Sequence, residues 1–190
     1  DEIKEIKVDD VLNEVKKGGH FFAATGGTDN HSSASAYTNT GNAEDFTITN
    51  MDEYKKAYEK NGLYNGVPTT YLHINGEVSL ASIQEAIRNG NSFITNGPII
   101  LADIDGKSYG ETTIINKDSI RLKIDAFARE GLESIRIVKN GEILQTIDVI
   151  GEIYQDTIEL TGLADGDWIV LEGLGTSTYY CITNPIFIKQ

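Results

Sequence analysis

Ile120-Arg121-Leu122-Lys123-Ile124-Asp125-Ala126 alternates apolar and charged residues without a break. Successive side chains of a strand point to opposite faces, so this run predicts a strand with one face buried and one in water. Ile135 and Ile137 continue the pattern. Lys139-Asn140-Gly141-Glu142 then supplies the Asn-Gly pair that tolerates the positive φ angles of a tight hairpin turn, joining 133–138 to 142–147. Working outward, 99–104, 152–160, 167–174 and 178–188 read as further short strands, with Asp105-Gly106 and Asp165-Gly166 as turns. Short strands punctuated by turns, with no convincing helix among them, predict an antiparallel, immunoglobulin-like β-sandwich over 98–190.

Residues 1–97 follow a different pattern. Ile6, Val8, Val11, Leu12 and Val15 recur at helical spacing and end at Gly18-Gly19; Phe21 to Thr25 reads as a buried strand. A polar stretch follows over 32–50, then a helix-like segment from Met51 to Lys60. Thr69 to Ile74 reads as a strand, and Ser82-Ile83-Gln84-Glu85 as a capping box opening a helix that Gly90 closes. Ser92 to Thr95 completes the half as another strand. The expectation is an α+β chain: an α/β domain over 1–97 and an all-β domain over 98–190.

Composition narrows the function. Of 190 residues, 16 are Lys or Arg and 29 Asp or Glu, giving a net charge of −13. A surface that negative repels phosphate backbones and anionic lipid, which argues against nucleic-acid or membrane partners. No apolar stretch approaches the roughly 20 residues of a membrane helix. The single cysteine, Cys181, has no partner for an internal disulfide, and the sequence leaves the compartment open.

Chemistry must be built from few parts, because the chain has only His20, His31 and His73. Asp29 and His31 lie two apart after a buried strand. In an extended segment such positions point the same way, so a carboxylate and an imidazole converge on one divalent cation. Gly26 and Gly27 let the backbone turn beside them. By contrast, His73 falls on the polar face of the 69–74 strand, His20 reads as a surface residue, and Cys181 as a small buried hydrophobe. Asp103, Asp105, Asp165 and Asp167 occupy turns, where a calcium site is a minor option.

Three segments occur in order: Gly26-Gly27-Thr28-Asp29-Asn30-His31-Ser32-Ser33, then Gly66-Val67-Pro68-Thr69-Thr70-Tyr71, then 83–98 from Ile83-Gln84-Glu85 to Asn96-Gly97-Pro98. Asp105-Gly106, Val138-Lys139-Asn140-Gly141-Glu142 and Thr183-Asn184-Pro185-Ile186 follow. This order resembles the polymerase-and-histidinol-phosphatase (PHP) superfamily, in particular the C-terminal portion of its CehA/McbA-like metallohydrolases with their β-sandwich tail. The resemblance implies a distorted (β/α) barrel binding divalent manganese, iron or zinc. It also implies hydrolysis of phosphoesters, or of other ester-like bonds, by metal-activated water. Asp29 and His31 correspond to that family's last metal-ligand motif.

The chain departs from the family in having no His-x-His pair and in placing Thr69 where relatives carry arginine. Residues 1–97 are also fewer than a barrel needs, at roughly 25 to 30 residues per βα unit. The expectation is therefore the carboxy-terminal piece of a longer hydrolase: an α/β remnant of the barrel followed by the sandwich. By itself such a piece is inactive and holds metal weakly or not at all. It self-associates, or packs against the missing amino-terminal barrel segment. The rival expectation is a noncatalytic sandwich that binds glycan or a protein partner, with exposed Tyr109, Tyr154 or Tyr180 as a sugar platform.

Overall fold

A computed structural model describes residues 23–26, 68–116, 119–176 and 179–190. The helices expected before Gly18 and over 51–60 lie outside the described residues, and of the buried strand expected over 21–25 the described residues 23–25 form no strand, with Ala24 and Thr25 exposed.

The alternation that begins at Ile120 runs further than expected. β5 spans Ser119–Lys139 and β6 spans Glu142–Thr161, joined at Asn140 (φ 53°) and Gly141 (φ 84°). Left-handed backbone at both positions matches the twist of the two strands, as the Asn-Gly pair predicts. The two pair along nearly their whole length, with register shifts between Phe127 and Ser134 and another between Ile137 and Val138. There Arg129-Glu130-Gly131 interrupts the alternation, and the ribbon carries on as a bulge instead of ending.

The shift divides the ribbon's neighbours. The first half of β5 pairs with β3 (Ile99–Ile104), and its second half with β7 (Trp168–Gly175). Beyond β7 the order continues through β8 (Tyr180–Thr183) and β2 (Ser92–Thr95) to β1 (Thr69–Leu72). β9 (Ile186–Lys189) pairs with β7 and, in parallel, with β4 (Thr112–Ile114).

The β3 end of this sheet folds back over β7 and β8 as a sandwich. A Cβ built on Gly173 of β7 would lie 2.7 Å from Cδ1 of Ile100 on β3. Between the layers Ile100, Ile104, Leu122, Ile124, Ile135 and Ile137 are buried, as are Ile169, Leu171, Cys181 and Ile186. Trp168 sits in a smaller cluster with Val138, Val170 and Phe187.

The expected α+β chain with an α/β barrel remnant is not what the described residues form. They are 61% strand and 8% helix, in one helix, which makes the fold β-rich and sandwich-like. The strands expected at 69–74 and 92–95 do form, but they pair antiparallel, Thr69 with Thr95 and Leu72 with Ser92. β2 pairs on its other side with β8, again antiparallel. A βα barrel needs parallel neighbours joined by a crossover helix. Here the His73 N–H donates to the Asn91 carbonyl at 2.7 Å, which extends the antiparallel register beyond Leu72.

The helix between them, α1 (Leu80–Asn89), starts one turn before the expected cap. Ser79 is the N-cap, accepting from the Ser82 N–H while the Ser82 hydroxyl accepts from the Ser79 N–H; a serine at the third helical position replaces the usual Glu or Gln. Gly90 closes the helix in the left-handed region, as expected. α1 buries only Ala86, and Val78, Leu80 and Ile87 lie exposed on or beside it. No described helix is long and apolar enough to cross a membrane.

Candidate functional site

Asp29 and His31, the expected metal ligands, lie outside the described residues, as does His20. What the structure does show is how the segment leading to them is held. The Asn184 side chain accepts from the Ala24 N–H at 2.9 Å and donates to the Ala24 carbonyl at 3.2 Å. Its amide also donates to Ser92 Oγ at 2.7 Å, and its own N–H donates to the Ser92 carbonyl. Two residues on, the Gly26 N–H donates to Thr70 Oγ1 at 2.8 Å.

Asn184 thus does for Ala24 what a neighbouring strand would do, pairing donor with acceptor. Asn184 and Ser92 are both buried, where an unpaired amide or hydroxyl would cost stability. The approach is close as well: a Cβ on Gly26 would fall 2.6 Å from the Ile94 side chain and 3.2 Å from Pro68. The backbone entering Gly26-Gly27-Thr28-Asp29-Asn30-His31 is therefore fixed between β1, β2 and the turn joining β8 to β9. Asn184 and Thr70 were not singled out from sequence, although both stand in segments quoted for the resemblance. Asn-Pro reads locally as a turn, and nothing in its neighbourhood points 160 residues back along the chain.

His73 is exposed just beyond β1, as its polar-face position predicts, and lines a polar cleft of about 460 Å³ with Glu85, Arg88, Asn91 and Glu111. Burial alone would raise the Glu111 carboxyl. The Ser108 N–H and the Lys107 ammonium, 3.0 Å away, outweigh it with help from His73 and hold Glu111 below the usual carboxylate range. The floor of the cleft is tight: Gly110 has φ 74°, and a Cβ there would lie 2.0 Å from the Asn89 carbonyl oxygen.

The turn carboxylates are engaged in turn chemistry. Asp103 accepts from the Gly106 N–H at 2.8 Å, and Asp165 from the Gln190 N–H at 2.9 Å. Asp167 accepts from Asn140 Nδ2 at 2.6 Å and from the Ala164 N–H at 2.8 Å, with Lys139 Nζ 3.4 Å away. Among the described residues no three His, Cys, Asp or Glu side chains converge as metal donors.

Tyr109 cannot serve in a sugar platform: it is 2% exposed and donates its hydroxyl to the Ile100 carbonyl at 2.6 Å. Burial raises its pKa above the ordinary tyrosine range. Cys181 is fully buried, and desolvation pushes its thiol up to about 12, the behaviour of an inert core residue.

No protein-family model, curated protein or solved structure matches the chain.

Proposed function

We propose that the chain supplies the carboxy-terminal part of a metal-dependent hydrolase acting on phosphoesters, with Asp29 and His31 as its donors to one divalent cation, manganese, iron or zinc. The observation that carries this reading is the clamp on residues 24–26. Side chains from β1 and from the turn joining β8 to β9 hold the backbone at Ala24 and Gly26, three to five residues before Asp29. A plain surface turn needs no such buried support. The clamp also joins segments on which the PHP resemblance rests, Gly26 of 26–33 to Thr70 of 66–71 and Asn184 of 183–186 to Ser92 of 83–98.

A carboxylate and an imidazole two residues apart suit a divalent cation, which when bound lowers the pKa of water and offsets charge growing on a phosphoryl group. Asn184 and Thr70 act before that chemistry, by setting where the Asp-x-His segment leaves the sheet. Two protein donors fall short of the three or four of a stable site, so the remaining donors come from further polypeptide and the chain alone is inactive. The exposed apolar side chains of Val78, Leu80 and Ile87 suit packing against such polypeptide.

The test is elemental mass spectrometry of the purified protein before and after exposure to manganese and to zinc. The expected result is a substoichiometric to near-equimolar metal content that Asp29→Ala abolishes. Equal content in protein and variant overturns the assignment of Asp29.

A further inference from the structure

We infer that Asn75 is a site of spontaneous covalent modification, converting through a cyclic imide to isoaspartate and aspartate, and that the fold protects the other described Asn-Gly pairs. An asparagine before glycine is prone to this, because the next backbone nitrogen reaches the side-chain amide carbon more easily when no Cβ shields it. The described residues contain four such pairs, beginning at Asn75, Asn89, Asn96 and Asn140.

Three of the four are held. Asn140 donates Nδ2 to Asp167 at 2.6 Å and accepts from the Trp168 N–H at 3.0 Å, which keeps its amide from turning towards Gly141. Asn96 accepts from the Tyr180 N–H at 2.6 Å, while the Gly97 N–H donates to Thr95 Oγ1 at 2.9 Å. Asn89 ends α1, where the Gly90 N–H donates back to the Ile87 carbonyl at 3.2 Å and Gly110 packs against the 89–90 peptide. Asn75 differs in each respect. It and Gly76 are exposed between β1 and α1, and neither its side chain nor the Gly76 N–H has a hydrogen-bond partner among the described residues. A Cβ built on Gly76 would meet nothing within 4 Å, so the two groups have room to come together.

The Gly76 nitrogen bonds to Asn75 Cγ as the Cγ–Nδ2 bond breaks, and the Gly76 amide proton leaves with Nδ2 as ammonia. Water then opens the imide. Attack at Cγ leaves aspartate, and attack at the Asn75 main-chain carbonyl leaves isoaspartate, with the chain running on through the side chain. Either product sets a new carboxylate in the polar cleft that Asn75 lines with His73, Glu85, Arg88 and Glu111. Isoaspartate also lengthens the main chain by a methylene group ahead of the Ser79 cap. This inference does not depend on the hydrolase reading.

The test is incubation of the intact protein in mildly alkaline buffer, with and without urea, then digestion and mass spectrometry with electron-transfer fragmentation, which tells isoaspartate from aspartate. In the folded protein the peptide holding Asn75 should convert about tenfold or more faster than those holding Asn89, Asn96 and Asn140, which react only through local opening. Isoaspartate should exceed aspartate. In urea the four rates should converge, because the difference belongs to the fold. Conversion at Asn89, Asn96 or Asn140 as fast as at Asn75 in the folded protein overturns the proposal, as does a preference for Asn75 that persists in urea. So does aspartate without isoaspartate at position 75, or an Asn75 that stays intact in the folded protein while converting in urea.

Discussion

The Asn184 side chain pairs with both backbone groups of Ala24, 160 residues away, while its remaining amide hydrogen goes to Ser92. Asn184→Ala would leave the buried Ser92 hydroxyl and the partly buried Ala24 backbone to find other partners. The expected cost is about 2–4 kcal/mol. Hydrogen exchange should also quicken at Ala24 and Gly26 before it does in β7. Asn184→Asp tests the donor half, because a carboxylate accepts from Ala24 but donates nothing to its carbonyl or to Ser92. Unchanged exchange at Ala24 in both variants would show that the clamp does not hold this segment.

Gly110 is fixed by two independent constraints, its left-handed φ and the Asn89 carbonyl against its missing Cβ. The colliding atom is backbone, so no side chain can swing aside. Gly110→Ala should cost about 2–4 kcal/mol by chemical denaturation. Gly173→Ala collides with the Ile100 side chain alone, with Cys181 Cβ at ordinary contact distance, and should cost about 1–2 kcal/mol. Equal costs would mean that the turn at Gly110 adjusts more freely than its geometry indicates.

Asp167 makes part of the fold pH-dependent. Burial would raise its pKa, but the Ala164 N–H, the Asn140 amide and Lys139 together hold it below the usual range. A carboxyl whose folded pKa is lowered adds stability that is present above its unfolded pKa, about 3.9, and is lost as pH falls through the folded value. Asp167→Asn should therefore cost about 2 kcal/mol at neutral pH. The gap to the unsubstituted protein should close below about pH 4 in denaturation midpoints. A gap constant with pH would mean that the carboxylate charge contributes nothing.

How much of this was legible in the sequence follows from the range of each interaction. The Asn140-Gly141 hairpin, the strand over 99–104 and the Gly90 helix stop are settled within a few residues, and all three form where expected. The union of 120–126 and 133–138 into one strand is not local. Arg129 to Gly131 breaks the alternation, and the ribbon survives because β6 pairs with it on both sides of the break. The same holds for β1 and β2. Short strands flanking a helix read as α/β, and only their pairing with each other and with β8 makes them antiparallel. Asp29 and His31 stand out as residue types, but Asn184 and Thr70 acquire meaning only once distant segments meet. Tyr109 shows the opposite failure: it was expected among exposed tyrosines of a sugar platform, whereas its hydroxyl reaches the Ile100 carbonyl inside the core.

Cys181 offers a readout of the core without any substitution. It lies on β8 between β2 and β7, is fully buried, and keeps its proton to about pH 12. Only the thiolate reacts with a disulfide reagent, so the folded protein should be inert at pH 8 and labelling should proceed only through opening of the sheet. If opening is global, Gly173→Ala should speed labelling by the factor its loss of stability sets, about tenfold for each 1.4 kcal/mol. Asn184→Ala discriminates further, because it removes a bond to Ser92 on β2, the strand beside Cys181. Labelling faster than the measured stability of Asn184→Ala accounts for would mean that β2 separates from β8 as a unit. Labelling that tracks stability in both variants would mean that β1, β2 and β8 open only with the rest of the sandwich.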